Sequence, residues 1–183
     1  MNQHSNERPD WTPNPQLMAL PTVSAREHCT GLRSYASAVT IITARHEDLR
    51  AGLTATAVVS VTAEPPRLAV FVNKNVVAAG IIMRSGALCV NVLSSGQDSV
   101  AKAFAGMIEG VQGDARFGHG DWTSMVTPSP SLDGALVNFD CRVIRVYDES
   151  THHAFLCEVL ATRSGAHGDA LVYLNGMFRQ IPQ

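Results

Sequence analysis

Much that would identify a common ligand or partner is missing from this sequence. No apolar segment reaches the length of a membrane span, and the N-terminus is polar and proline-rich where a targeted chain carries a basic stretch followed by an apolar one. The expectation is a soluble cytoplasmic protein. Lys and Arg are not clustered, and 14 basic residues stand against 16 acidic ones, which argues against a nucleic acid or a membrane surface as partner. Cys29, Cys89, Cys141 and Cys157 form no C-x-x-C pair and mostly sit inside apolar runs, so they read as reduced core thiols and not as a disulfide frame. No G-x-G-x-x-G follows a strand, no P-loop occurs, and Gly118-His119-Gly120 lacks both a third glycine and a helix behind it, which removes a Rossmann nucleotide site. No G-x-S-x-G nucleophile appears. His152-His153 has no third ligand at a useful spacing, and neighbours on a strand point to opposite faces, so no metal site is expected.

What remains favours a small molecule. The stretch Gly52 to Pro66, GLTATAVVSVTAEPP, reads as one strand with Thr54, Thr56, Ser60 and Thr62 on one side and Ala55, Ala57, Val59 and Val61 on the other. Past Leu53 it carries no aromatic or long side chain until Glu64, so a flat ligand can approach the backbone, with short hydroxyls as donors and acceptors. The same residues also suit a strand packed closely inside a crowded sandwich.

The length suits one domain, residues 24–183, behind a flexible arm over 1–23 that holds Pro9, Pro13, Pro15 and Pro21. Trp11 and the run Leu17 to Leu20 are candidates to pin that arm to a neighbouring subunit. Ser24 and Glu27 form a capping box for a helix from about Ala25 to Ser37. Val39 to Ala44 is a strand, and Leu68 to Val72 is another, expected to be buried on both faces. Asn75 is the expected N-cap of a helix running to about Met83, with Gly86 as its stop. That helix start, with Lys74 beside it, is a possible anion site, or Lys74 is simply solvated. Leu88 to Leu93 leads to a second corner, where Ser95 and Asp98 have capping-box spacing before a helix over Gly96 to Phe104. Gly106 to Pro130 is a long loop anchored by Phe104, Phe117 and Trp122, a candidate to lid a site or sit at a subunit contact. Val137 to Asp148 and His152 to Arg163 form a hairpin, a turn over Gly165 to Gly168 follows, and Ala170 to Leu174 and Met177 to Ile181 flank Asn175-Gly176. Short turns with two inserted helices indicate an antiparallel barrel.

Five blocks taken together, GLTATAVVSVTAEPP, LCVNVLSSGQ, FAGM with the later RF and W, THHAFLCEV and LVYLNGMFR, resemble the flavin reductase family over about Leu32 to Ile181. The resemblance implies a mainly β fold with inserted helices, the Greek-key FMN-binding split barrel, usually as a homodimer. It implies hydride transfer from NADH, or NADPH, to FMN or FAD, with free reduced flavin passed to a flavin-dependent monooxygenase. The similar members are reductase components of two-component monooxygenases such as those for 4-hydroxyphenylacetate hydroxylation and pyrimidine ring opening. By position, Thr54, Ala55, Thr56 and Ala57 would line the flavin ring, and Ser60, Val61 and Thr62 would continue that strand. Asn75 and Val76 would meet the phosphate end, with Asn91, Leu93, Ser94 and Gln97 at the second corner. His152 would stand on the nicotinamide side as the catalytic residue, and Tyr173 to Arg179 would close over the nicotinamide. Cys157 replaces a frequent family glycine and the segment Asn73 to Val77 departs from the pattern, which leaves FMN against FAD open. Rival readings are a split-barrel module that holds flavin or haem without turnover, and a non-catalytic subunit that docks on an oxygenase through its arm.

Overall fold

Strands form where β-branched and aliphatic residues run between turn residues. The computed structural model describes residues 11–165 and 168–182; residues 1–10 of the arm and part of the expected turn over Gly165 to Gly168 lie outside the described residues. The strands are β1 Ser37–Ala38, β2 Thr40–His46, β3 Leu49–Ala55, β4 Val58–Ala63, β5 Pro66–Asn73, β6 Ala87–Val92, β7 Trp122–Thr123, β8 Ser131–Leu132, β9 Val137–Glu149, β10 His152–Ser164, β11 Ala170–Leu174 and β12 Met177–Ile181. The helices are α1 Pro15–Met18, α2 Ala25–Leu32, α3 Val77–Ser85 and α4 Asp98–Phe104.

All pairings are antiparallel, and seven strands form one sheet in the order β3-β2-β6-β9-β10-β5-β4. The two edge strands, β3 and β4, are joined only through Thr56 and Ala57. Three extended residue steps reach about 11 Å, whereas the outer strands of a flat seven-stranded sheet would stand roughly 29 Å apart. The sheet must therefore curl until its edges nearly meet, which makes it a barrel split at β3 and β4. The expected single strand over Gly52 to Pro66 is accordingly two strands. Ala55 is the last residue of β3 paired to Thr40, and after the break Ala57 O accepts from Phe71 N as the chain joins β5.

Two apolar clusters meet at β2, whose Thr40–Ala44 segment is buried throughout. Ile42 joins Val70, Leu88, Val90 and Phe155 inside the barrel, where Ala79, Ile81 and Ile82 of α3 also pack. Ile41 joins Leu93, Phe104, Phe117, Leu132 and Leu171 on the opposite face, under α4. Phe104, Phe117 and Trp122 form the expected aromatic anchor, with centroids 5.0–5.4 Å apart. α4 can lie close to β3 because Gly52 has no side chain: a Cβ there would stand 2.7 Å from Phe104 Cε1 and 2.9 Å from Ile42 O.

Local expectations fail where a competing hydrogen bond takes the residue. α2 has its Ser24–Glu27 capping box but stops at Leu32, since Ser37 and Ala38 are drawn into pairing with Tyr173 and Val172. Asn75 does not cap α3: the Asn73 side chain accepts from Asn75 N at 2.9 Å, and the N-cap is Val76, which supplies no side-chain hydrogen bond. Gly86 ends α3 with φ 65°, as the pattern implies. At the second corner Gln97 Oε1 accepts from Ser94 N, while Asp98 pairs with Lys102 instead of capping. β5 alternates, with Leu68, Val70 and Val72 buried and Ala69 and Phe71 half-buried on an uncovered outer face. Asn175 and Gly176 take φ 54° and 77°, the geometry of a two-residue hairpin.

Candidate functional site

Two adjoining cavities lie along β3, and the smaller reaches the break between β3 and β4 at Thr56. The larger, about 750 Å³, lies between Arg50–Thr54 of β3, the first turn of α3 from Asn75 to Ala78, and the loop after α4, with Arg116 in its wall. That volume falls within the range of small-molecule sites. The smaller, about 170 Å³, is lined by Thr54–Thr56, Ala105, Met107, Tyr173 and Phe178. Thr54 and Ala105 belong to both. As an edge strand, β3 pairs only with β2 and so presents one row of backbone N–H and C=O groups toward the cavity side.

Side chains hold this wall in place. Thr54 donates its hydroxyl to Ala101 O of α4 at 2.7 Å, and Thr40 donates to Ala55 O at 2.7 Å. The Thr54 hydroxyl is thus spent on structure and not offered to a ligand, unlike that of Thr56, which is exposed and has no hydrogen-bond partner among the described residues. Arg50 lies 4.2 Å above the Phe117 ring and forks onto Asp114 with contacts of 2.5 and 3.1 Å, and its hydrogen bonds hold the Asp114 carboxyl below its ordinary pKa. Arg116 differs from it: its Nε is buried without a hydrogen-bond partner among the described residues. The first turn of α3 likewise has no side-chain cap.

Of the residues expected at the site, Thr54, Ala55, Thr56 and Tyr173 line the smaller cavity, and Thr54, Asn75 and Val76 the larger. Ala57 is exposed at the break beside Thr56. Ser60, Val61 and Thr62 are exposed on β4 and line neither cavity. Asn91 and Leu93 have no exposed surface. The Asn91 amide donates to Ile41 O and Thr43 Oγ1 and accepts from Leu132 N and Asn138 Nδ2, so it braces the corner from within. Ser94 bridges to Ala170, and Gln97 donates to Asp133 O at 3.0 Å. Arg179 is exposed on β12 and lines neither cavity, although the adjacent Phe178 lines the smaller one.

His152 and His153 do point apart. His153 packs on Phe155 inside, with centroids 5.7 Å apart. His152, whose Nδ1 is 2.8 Å from Thr151 Oγ1, shares the outer face with Ala154 and Leu156 and lines neither cavity. Lys74 is neither free nor at an anion site: it pairs with Asp148 at 2.5 Å and donates to Ser150 O at 2.6 Å. Pattern reading missed Arg50 and Arg116 as site residues, whereas the long loop over Gly106 to Pro130, expected to lid a site or sit at a subunit contact, does supply cavity wall from Gly106 to Gly113. The sign of that loop in the sequence is the FAGM and RF pair, whose spacing across it says nothing about which strand it covers. Among the described residues no cluster of three or more His, Cys, Asp or Glu is placed to hold a metal, and no helix is long and apolar enough to cross a membrane.

Comparison with known proteins agrees with this architecture. Residues 32–182 match the family model described as flavin reductase like domain. The FMN reductase (NADH) RutF of Stutzerimonas stutzeri is 45% identical over 138 residues, covering 75% of this chain and 78% of the relative. The FMN reductase (NADH) RutF of Ancylobacter novellus is 34% identical over 161 residues, covering 88% and 87%. Among solved structures, BorF, the flavin reductase component of a bacterial two-component tryptophan halogenase, superposes with a TM-score of 0.79 at 30% identity, covering 87% of this chain and 99% of that one. With its curled seven-stranded sheet, its paired cavities and a match over residues 32–182, this chain belongs to the flavin reductase like domain family.

Proposed function

We propose that this chain is an NADH-dependent flavin reductase that takes FMN, or FAD, as a substrate and releases it reduced for a partner monooxygenase. The observation that carries the reading is the double cavity. Its narrow part offers the small residues Thr54–Thr56 on one side and the Tyr173 and Phe178 rings on the other, a slot suited to a planar ring. Its wide part has the uncapped first turn of α3 and the unpartnered Arg116 Nε, which suit an anionic tail. The residues present therefore fit a flavin mononucleotide.

Bound NADH supplies the hydride and the flavin ring accepts it, so the protein needs no nucleophile or general base and has to bring the two rings together. Thr54, Ala55, Thr56 and Ala57 align the flavin edge, Asn75 and Val76 meet the phosphate end, and Tyr173 to Arg179 lies on the nicotinamide side. Among the described residues, exposed Val59 and half-buried Ala69, Phe71, Ala154 and Leu156 form an outward-facing apolar sheet face, with the Arg67–Glu158–Arg142 ion pairs at its rim. Contiguous apolar faces of this kind mark interaction sites, and a second copy of the chain is the partner we assign to it. His152 stands on that same face, so its part in orienting the nicotinamide comes through the dimer.

Steady-state assays with NADH and NADPH crossed against FMN, FAD and riboflavin test the reading, with the oligomeric state measured by light scattering. The expected result is NADH oxidation that requires added flavin, from a dimer. Flavin bound tightly with no NADH oxidation would instead favour a holding module.

A further inference from the structure

We infer that Arg116 recognises the flavin phosphate and so sets a preference for phosphorylated over unphosphorylated flavin; this rests on the flavin reading above and assigns its anion subsite to a residue outside the expected site. Arg116 belongs to the 3-10 turn Gly113–His119, held in place by the burial of the neighbouring Phe117. Its Nε has no exposed surface and no partner, and no carboxylate pairs with its guanidinium among the described residues. The nearby Arg50 has Asp114, Arg67 and Arg142 share Glu158, and Arg163 has Asp133. A half-buried cation with a desolvated, unsatisfied donor is costly unless an anion arrives to satisfy it.

Arg116 lines the larger cavity, and a Cβ at Gly106 would stand 3.7 Å from its Nη2, so that end of the guanidinium lies against the side-chain-free Gly106 of the loop after α4. Gly106, Gly110 and Gly113 hold the loop with φ 73°, 76° and 54°, a conformation that residues with side chains adopt rarely. A guanidinium offers two parallel N–H groups that match two phosphoryl oxygens. Lys74, which the sequence pattern places near an anion site, is neutralised by Asp148, whereas Arg116 has kept its charge available.

Flavin fluorescence quenching, without NADH, is measured for the full-length protein and for Arg116→Gln and Arg116→Lys, titrated with FMN, FAD and riboflavin. Loss of a charge-assisted contact predicts that Arg116→Gln binds FMN and FAD about 10- to 100-fold more weakly. Riboflavin affinity stays within about twofold and Arg116→Lys recovers part of the loss, because the missing contact is to phosphate. In the unmodified protein, inorganic pyrophosphate should compete with FMN and leave riboflavin binding unchanged, a measurement that needs no variant. Equal weakening of FMN and riboflavin, or unchanged FMN and FAD binding, or a change confined to the KM for NADH, would each overturn the assignment. A protein that binds flavin but fails to oxidise NADH would reject the reductase reading and leave the quenching result to decide Arg116.

Discussion

Gly52→Ala is a sharp test of how β3 is held, because two opposing effects predict opposite signs. At a position whose backbone a side chain tolerates, replacing Gly by Ala stabilises by about 0.4–1 kcal/mol through the unfolded chain. Gly52 is not in the positive-φ region, so that gain applies. Against it stands a Cβ placed 2.7 Å from Phe104 Cε1 and 2.9 Å from Ile42 O. Neither contact yields easily. Ile42 O belongs to the backbone of the adjacent strand, and the Phe104 ring is fixed edge-on to Phe117 at 5.0 Å and against Trp122 at 5.4 Å. Overpacking of this kind costs about 1–3 kcal/mol, so the net expectation is a loss of roughly 1–2 kcal/mol. For a chain of this size that lowers Tm by about 2–8 °C. Since β3 must shift away from α4, the Thr54 to Ala101 bond loosens and the cavity wall moves, and the KM for flavin should rise severalfold. Thermal unfolding followed by circular dichroism, together with flavin titrations, reads both effects. A Tm that rises would show that Phe104 gives way freely and would refute the close-packing account.

His152→Ala should raise the KM for NADH more than that for flavin, and an unchanged NADH dependence would remove His152 from the site. Glu158 carries a carboxyl held below its ordinary value of 4.5, first by hydrogen bonds from Arg67 and then by those from Arg142. Its contribution is therefore present above about pH 4.5 and lost as pH falls through the lower folded value, so the Tm gap between wild type and Glu158→Gln should be constant from pH 6 to 8 and shrink in acid. A thiol reagent at pH 8 should modify the exposed Cys29 alone until the protein is unfolded. Burial pushes Cys89 and Cys157 up to about 12 and raises Cys141 as well, and rapid reaction of any of these three in the folded protein would contradict the packing around them.

Local chemistry was legible wherever it had no competitor. The Ser24–Glu27 box, the Gly86 stop, the Asn175-Gly176 hairpin and the long β9–β10 pair all depend on residues a few positions apart, or on a sustained period of two. Failures came where a remote or shifted partner outbid the local one. Asn75 lost its capping role to the Asn73 side chain, Lys74 was taken by Asp148 across the sheet, and the capping interaction at the second corner settled on Ser94 and Gln97. Asn91 illustrates the limit for site residues: its place in the LCVNVLSSGQ block is visible, yet its whole amide serves β2, Leu132 and Asn138.

The sequence by itself determined that this is a mainly antiparallel β chain with two inserted helices, and that no aromatic or long side chain stands between Leu53 and Glu64, because period and side-chain size are local properties. Only the tertiary structure decided that this stretch breaks at Thr56–Ala57 to join opposite edges of the sheet, and that Arg116 has no counter-ion among the described residues in the wall of the cavity beside β3. Both depend on how far the sheet curls and on which strand the loop after α4 covers. Those are set by the simultaneous packing of β2 against two apolar clusters, which no spacing along the chain encodes.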